Sequence, residues 1–207
     1  QALSTPVDEP ASAPPDAFDM PDAPPFLLPI LPQVLVGRAQ SAIKTEANDT
    51  GAPASSAASL IGQAMHRLLE WAPLGATEFS STQIASVARE FALDEVRAQQ
   101  AAQMAQRILR GEGAWAWNPK LIAWHGNEVA LSWQGASLRL DRLVRRKDVP
   151  EWWVLDYKSA AEPQGKAEPM AQLQTYRAAV QAIYPDATVR AAFLTAEGTL
   201  SEVPGKD

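Results

Sequence analysis

Asp141, Asp156 and Lys158 are the residues of this 207-residue chain whose types and spacing could do chemistry. They belong to two apolar, strand-prone runs, 138–144 and 152–157, separated by Arg146-Lys147-Asp148-Val149-Pro150. Two such runs around an Asp- and Pro-containing segment predict a hairpin with a longer loop. In an antiparallel pair, opposed residues have position numbers of constant sum. A loop centred between Asp148 and Val149 therefore places Asp141 opposite Asp156. Alternation along the strand puts Lys158 on the face of Asp156, with Arg139 across from it. Opposed Cβ atoms lie about 5 Å apart, where like charges are destabilising. Two carboxylates so placed need a shared proton or a cation, and without one they are expected to repel. With a lysine beside them they make a Mg²⁺ site, since that ion takes one or two carboxylates together with substrate phosphate. A slip of one residue would send the acids to opposite faces, and the alternative is a surface hairpin with solvated charges.

The elements that must position this hairpin are helices before it and a helix and strands after it. Ile61, Met65, Leu68 and Leu69 recur at helical spacing and predict a helix over 60–71, closed by Pro73 and Gly75. His66 lies beside that apolar stripe, with Glu70 one turn on; it is either a partly buried, hydrogen-bonded histidine or a metal ligand. Helices are predicted over 82–91 and 94–110, the second capped by Asp94 and ended by Gly111. Strands are predicted over 121–124, 129–133 and 138–145, parted by the turn signals His125-Gly126-Asn127 and Gln134-Gly135. Trp115, Trp117, Trp124 and Trp133 read as core and rim packing before base stacking. A helix over 169–183 puts Gln172 and Tyr176 one turn apart, and strands follow at 189–195 and after Gly198. The order predicts an α/β sheet with helices on its faces.

Composition narrows the function classes. Ten of the 17 prolines fall in residues 1–60, a segment with seven acidic and two basic residues, so the net charge of −6 is mostly carried there. Residues 1–57 read as a Pro/Ala-rich acidic linker, extended or disordered, and 58–207 as the folded domain. The segment is a plain linker or an acidic tail imitating DNA. No cysteine is present, which removes disulfides, zinc–thiolate sites and iron–sulfur clusters held by this chain. No apolar run is long enough to span a membrane. The chain begins at Gln1 without a basic leader and reads as part of something longer rather than as secreted.

Four motifs come in one order: Gly62-x-x-x-His66-Arg67-Leu68-Leu69-Glu70, Asp141-Arg142-Leu143, Val154-Leu155-Asp156-Tyr157-Lys158 and Gln172-x-x-x-Tyr176-Arg177. Together, over about residues 59–196, they resemble the RecB-type nuclease domain of the PD-(D/E)xK superfamily, as fused to UvrD-like helicases such as the AddA subunit. The resemblance implies a restriction-endonuclease-like α/β fold, a central mixed sheet whose catalytic hairpin is flanked by helices. It implies a metal-dependent deoxyribonuclease, an exonuclease module of a helicase–nuclease acting in double-strand break repair and recombination. His66, Asp141, Asp156 and the backbone carbonyl of Tyr157 would hold Mg²⁺ or Mn²⁺, and Lys158 would act on the attacking water. Gln172, Tyr176 and Arg142 would support the site and the DNA, and Glu128 and Glu70 match acidic positions less firmly. Partners would be single-stranded or end-presenting DNA, helicase domains of the same parent chain and a second nuclease subunit, in the bacterial cytoplasm at the nucleoid. Arg139 stands where the family usually has Gly, and Ser159-Ala160-Ala161 where it has Thr and a basic or aromatic residue. Arg139, Arg142, Arg145, Arg146 and Lys147 either contact the DNA backbone or form a solvated hairpin end. The alternative for the whole is a non-catalytic DNA-binding or subunit-docking domain of the same fold.

Overall fold

Alternation of buried residues builds a five-stranded sheet whose two faces are covered by different helices. A computed structural model of the chain describes residues 53–161 and 163–205. The expectations for the acidic segment lie outside these residues as far as position 52. Helices α1 (Pro53–Trp71), α2 (Ser81–Glu90) and α3 (Glu95–Arg110) precede strands β1 (Ile122–Trp133), β2 (Ala136–Arg146) and β3 (Glu151–Lys158). Helix α4 (Ala167–Ile183) then leads to β4 (Thr188–Thr195) and β5 (Leu200–Glu202). The strands lie side by side in chain order. Only β3 and β4 are parallel, as their connection through α4 requires.

Helix α1 as described spans Pro53–Trp71. Ser80 caps α2 in a reciprocal box with Gln83, and Asp94 caps α3 by accepting from the Arg97 amide. In β3, Trp153, Leu155 and Tyr157 join Met65, Leu68, Ile108 and Trp117 in the core beneath α1 and α3. Their neighbours Trp152 and Val154 join Leu173, Tyr176 and Val180 of α4 on the other side. Both faces of the central strand are therefore buried, and its sequence reads as a continuous apolar run up to Asp156.

The turn expected at His125-Gly126-Asn127 does not form. β1 runs through it, keeping Gly126 opposite Leu143 and Asn127 opposite Arg142. Glycine suits the strand here because a Cβ at Gly126 would lie 2.8 Å from Trp124 Cη2. The hairpin loop falls instead at Gln134-Gly135, where both residues have positive φ (49° and 80°), as a two-residue turn of matching twist requires.

Helix α3 is locked to the β4–β5 turn by a contact between two glycines. A Cβ on Gly111 would sit 2.1 Å from the Gly198 carbonyl oxygen, and Gly198 itself has φ +87°. The turn is held besides by Arg107 donating to the Ala196 carbonyl and by the Glu112 amide donating to that of Gly198. Gly111→Ala forces backbone against backbone and should cost about 1–3 kcal/mol, read as a lower urea midpoint with an unchanged slope. An unaltered midpoint would mean that the turn moves aside freely.

Candidate active site

The β2–β3 ladder pairs Arg142 with Leu155, Leu143 with Val154 and Val144 with Trp153, which is the register expected from the loop position. Main-chain pairing stops at Arg142, one residue short of Asp141. There the Asp141 carboxylate takes over: its Oδ2 accepts the Tyr157 amide at 2.8 Å. The side chain thus satisfies a buried donor that a ladder carbonyl would otherwise meet.

Two distortions prepare this end. Leu140 and Leu143 both pack on the α4 side while Val144 packs on the other, so regular alternation breaks across Asp141-Arg142. Opposite the break, between the Asn127–Arg142 and Val129–Leu140 pairs, Glu128 has φ +51°, a left-handed conformation costly for a side chain other than glycine.

Side chains from separate motifs form pairs at this end of the sheet. His66 Nδ1 on α1 lies 3.6 Å from Asp141 Oδ2, and its ring meets the Tyr157 ring edge-on at 5.5 Å. Asp156, on the α4 side, is 2% exposed and pairs with Lys158 Nζ at 2.7 Å. Gln172 donates to the Tyr176 hydroxyl at 2.6 Å. Burial pushes the Tyr176 phenol up; the charges of Asp156 and Asp141 add to this, while Gln172 and Lys158 oppose it. The α4 pair therefore sits in the electrostatic field of both acids and the lysine. The repulsion expected between Asp141 and Asp156 is not left uncompensated, because each carboxylate has its own partner, the Tyr157 amide or the Lys158 ammonium.

Glu128 points inward as a third acid. Burial raises its pKa first and the Asp141 charge second; Arg139, its ion-pair partner, acts against them, and Glu70 raises it further. Arg139 is thus engaged by Glu128 on β1. Glu70 pairs with Arg67 at 2.5 Å, and Arg67 also bonds Glu90.

Arg142 is fully buried, so it presents nothing to a DNA phosphate. Its guanidinium lies 4.4 Å from the Trp117 ring centroid and donates to Asn127 Oδ1 and to the Ala116 carbonyl. Burial drives the neighbouring Tyr157 phenol upward, with Arg142 acting against it. The rest of the basic cluster is partly engaged: Arg146 pairs with Asp148 and stacks on Trp115, and Lys147 donates to the Pro119 carbonyl. Arg145 stands exposed. The sequence reads Asn127 as turn and Trp117 as core, whereas both contact the buried Arg142.

The donor chemistry, an imidazole and several carboxylates, suits a hard divalent ion. Among the described residues, no three His, Asp or Glu side chains are grouped closely enough to hold one between them. No described helix is long and apolar enough to cross a membrane.

A mixed sheet with flanking helices and acids at the frayed end of its central hairpin defines an α/β domain of the restriction-endonuclease-like type. The chain matches the family model of the PD-(D/E)XK nuclease superfamily over residues 39–205, and it belongs to that superfamily. Members are usually nucleases that use divalent metal ions, and membership implies DNA binding. No match was found among curated proteins.

The raised Glu128 pKa gives a signed prediction. A carboxyl whose folded pKa exceeds its unfolded one favours the fold most below the unfolded value, about 4.3, and that contribution is lost as pH rises through the folded value. Glu128→Gln should therefore flatten the decline in stability from about pH 4.3 upward, in urea melts at low salt. A wild-type slope retained in the mutant would assign it to another group.

Proposed function

We propose that this chain is the metal-dependent DNA nuclease module of a helicase–nuclease, hydrolysing phosphodiester bonds, as an exonuclease, during double-strand break repair and recombination. The observation that supports the reading is a pair of side-chain contacts at the open end of β2 and β3, His66 with Asp141 and Lys158 with Asp156, beside the Tyr157 amide bond to Asp141. On this reading the nuclease domain takes in the helices and sheet, and the acidic Pro/Ala-rich stretch before them is a linker to helicase domains of the parent chain. Their order along the chain, with the Gln172–Tyr176 pair following, supports the RecB-type assignment over other nucleases of the superfamily. A second nuclease subunit and a place at the bacterial nucleoid in the cytoplasm belong to the same proposal.

His66, Asp141, Asp156 and the Tyr157 carbonyl would hold Mg²⁺ or Mn²⁺. When bound, such an ion lowers the pKa of water and offsets charge on the phosphate. The remaining work falls to the chain itself. Asp141, fixed by the Tyr157 amide, keeps that same carboxylate oxygen near His66. Lys158 places a positive charge where the phosphate becomes more negative in the transition state. Tyr176 and Gln172 border the acids from the α4 side and would line the path of the strand. A second reading, a DNA-binding or docking domain without catalysis, draws on the pairing of Asp156 with Lys158, which engages one donor.

Lys158→Ala separates the two. It should retain Mn²⁺ binding in calorimetry, or bind more tightly because Asp156 loses its ammonium partner. Cleavage of linear single-stranded DNA should drop by about 10²–10³, the cost of removing one charge-stabilising donor. Undiminished cleavage would take Lys158 out of the mechanism, and no cleavage by wild type with Mg²⁺ or Mn²⁺ would favour the docking domain.

A further inference from the structure

Helix α1 carries His66 and strand β2 carries Asp141, and one side chain between them bonds to both elements. Asn127 of β1 donates through Nδ2 to the Glu70 carbonyl at 2.8 Å, and its Oδ1 accepts from Arg142 Nη1 at 2.5 Å. The amide orientation follows from its partners, since arginine only donates and a carbonyl only accepts. Glu70 lies in the last turn of α1, where helix carbonyls have no partner within the helix. Asn127 therefore caps the helix end from the side, one turn beyond His66. Arg142 is the residue after Asp141 and is itself immobilised, being fully buried, stacked on Trp117 and bonded to the Ala116 carbonyl. The chain Glu70–Asn127–Arg142 thus ties the end of α1, which carries His66, to β2, which carries Asp141.

We propose that Asn127 is a positioning residue of the site, holding the histidine-bearing helix in register with the aspartate-bearing strand by bridging the Glu70 carbonyl and the Arg142 guanidinium. The inference rests on the nuclease reading above and extends it to a residue outside the four motifs. Few replacements serve. An ionised aspartate keeps the acceptor toward Arg142 but faces the Glu70 carbonyl without a donor, and alanine serves neither. Partners that orient metal-binding side chains are worth about 10–100-fold in metal affinity or activity.

Asn127→Asp in the full chain tests this, because it retains an oxygen for Arg142 while losing the bond to α1. The chain has only two histidines, His66 and His125, so the His66 ring signals are readily assigned by NMR. The Mn²⁺ concentration that half-broadens them should rise about tenfold in the mutant. The kcat for DNA cleavage should fall by about 10–100-fold with KM unchanged. A merely structural asparagine would lower the melting temperature and leave both the Mn²⁺ concentration and kcat at wild-type values, which would overturn the inference. If Asn127→Asp does not fold, Asn127→Ser, too short to reach α1, carries the same expectation and the same overturning result. Wild-type His66 signals indifferent to Mn²⁺ would remove the metal site itself and the inference with it. That failure is distinct from a mutant that matches a responsive wild type.

Discussion

The bond from the Tyr157 amide to the Asp141 carboxylate is the constraint on which the site depends. Strands β2 and β3 pair regularly up to Arg142 and Leu155, and a further main-chain pair would zip the hairpin shut. The carboxylate inserted at the next step ends the ladder, satisfies a buried amide and fixes its own position. A hydrogen bond to a charged group is worth about 1.5–3 kcal/mol, and losing it would leave the amide unmet. The same oxygen faces His66 from the α1 side. One interaction therefore closes the sheet and sets the geometry of a polar centre, coupling fold stability to site geometry.

Around that bond the domain accumulates features that a purely structural sheet would avoid. Glu128 adopts a left-handed backbone conformation and lies half-buried beside Asp141. Asp156 is buried and pairs with Lys158. Arg142 is buried against an aromatic face and donates to neutral oxygens of Asn127 and Ala116. Each is expensive on its own. Their concentration at one end of the sheet, with the two hydrophobic clusters packed regularly elsewhere, is the pattern expected where structure gives way to chemistry.

Much of this was legible in the sequence, for reasons that differ by residue. The register of β2 and β3 followed from Asp148 and Val149 because loop chemistry and alternating burial agree there. The two-residue turn at Gln134-Gly135 was legible because positive φ selects its residues. At His125-Gly126-Asn127 the same logic misled: Gly-Asn is turn chemistry, but the glycine makes room for the Trp124 ring and the asparagine reaches across to α1. Arg142 was read with the exposed basic cluster since a charge on a hairpin usually faces water. Its burial depends on Trp117 and Ala116, and nothing local signals that contact. The pairing of Arg139 with Glu128 was hidden for the same reason, being set by the β1–β2 register.

The central claim is that Asp141 replaces a main-chain acceptor at the end of the ladder, and amide hydrogen exchange of Tyr157 measures it directly. In wild type the Tyr157 amide should be protected to a degree comparable with Leu155. In Asp141→Ala it should exchange at least tenfold faster, while Leu155 keeps its protection. Equal protection of Tyr157 in both proteins would show that the amide is held by another group and would contradict the account.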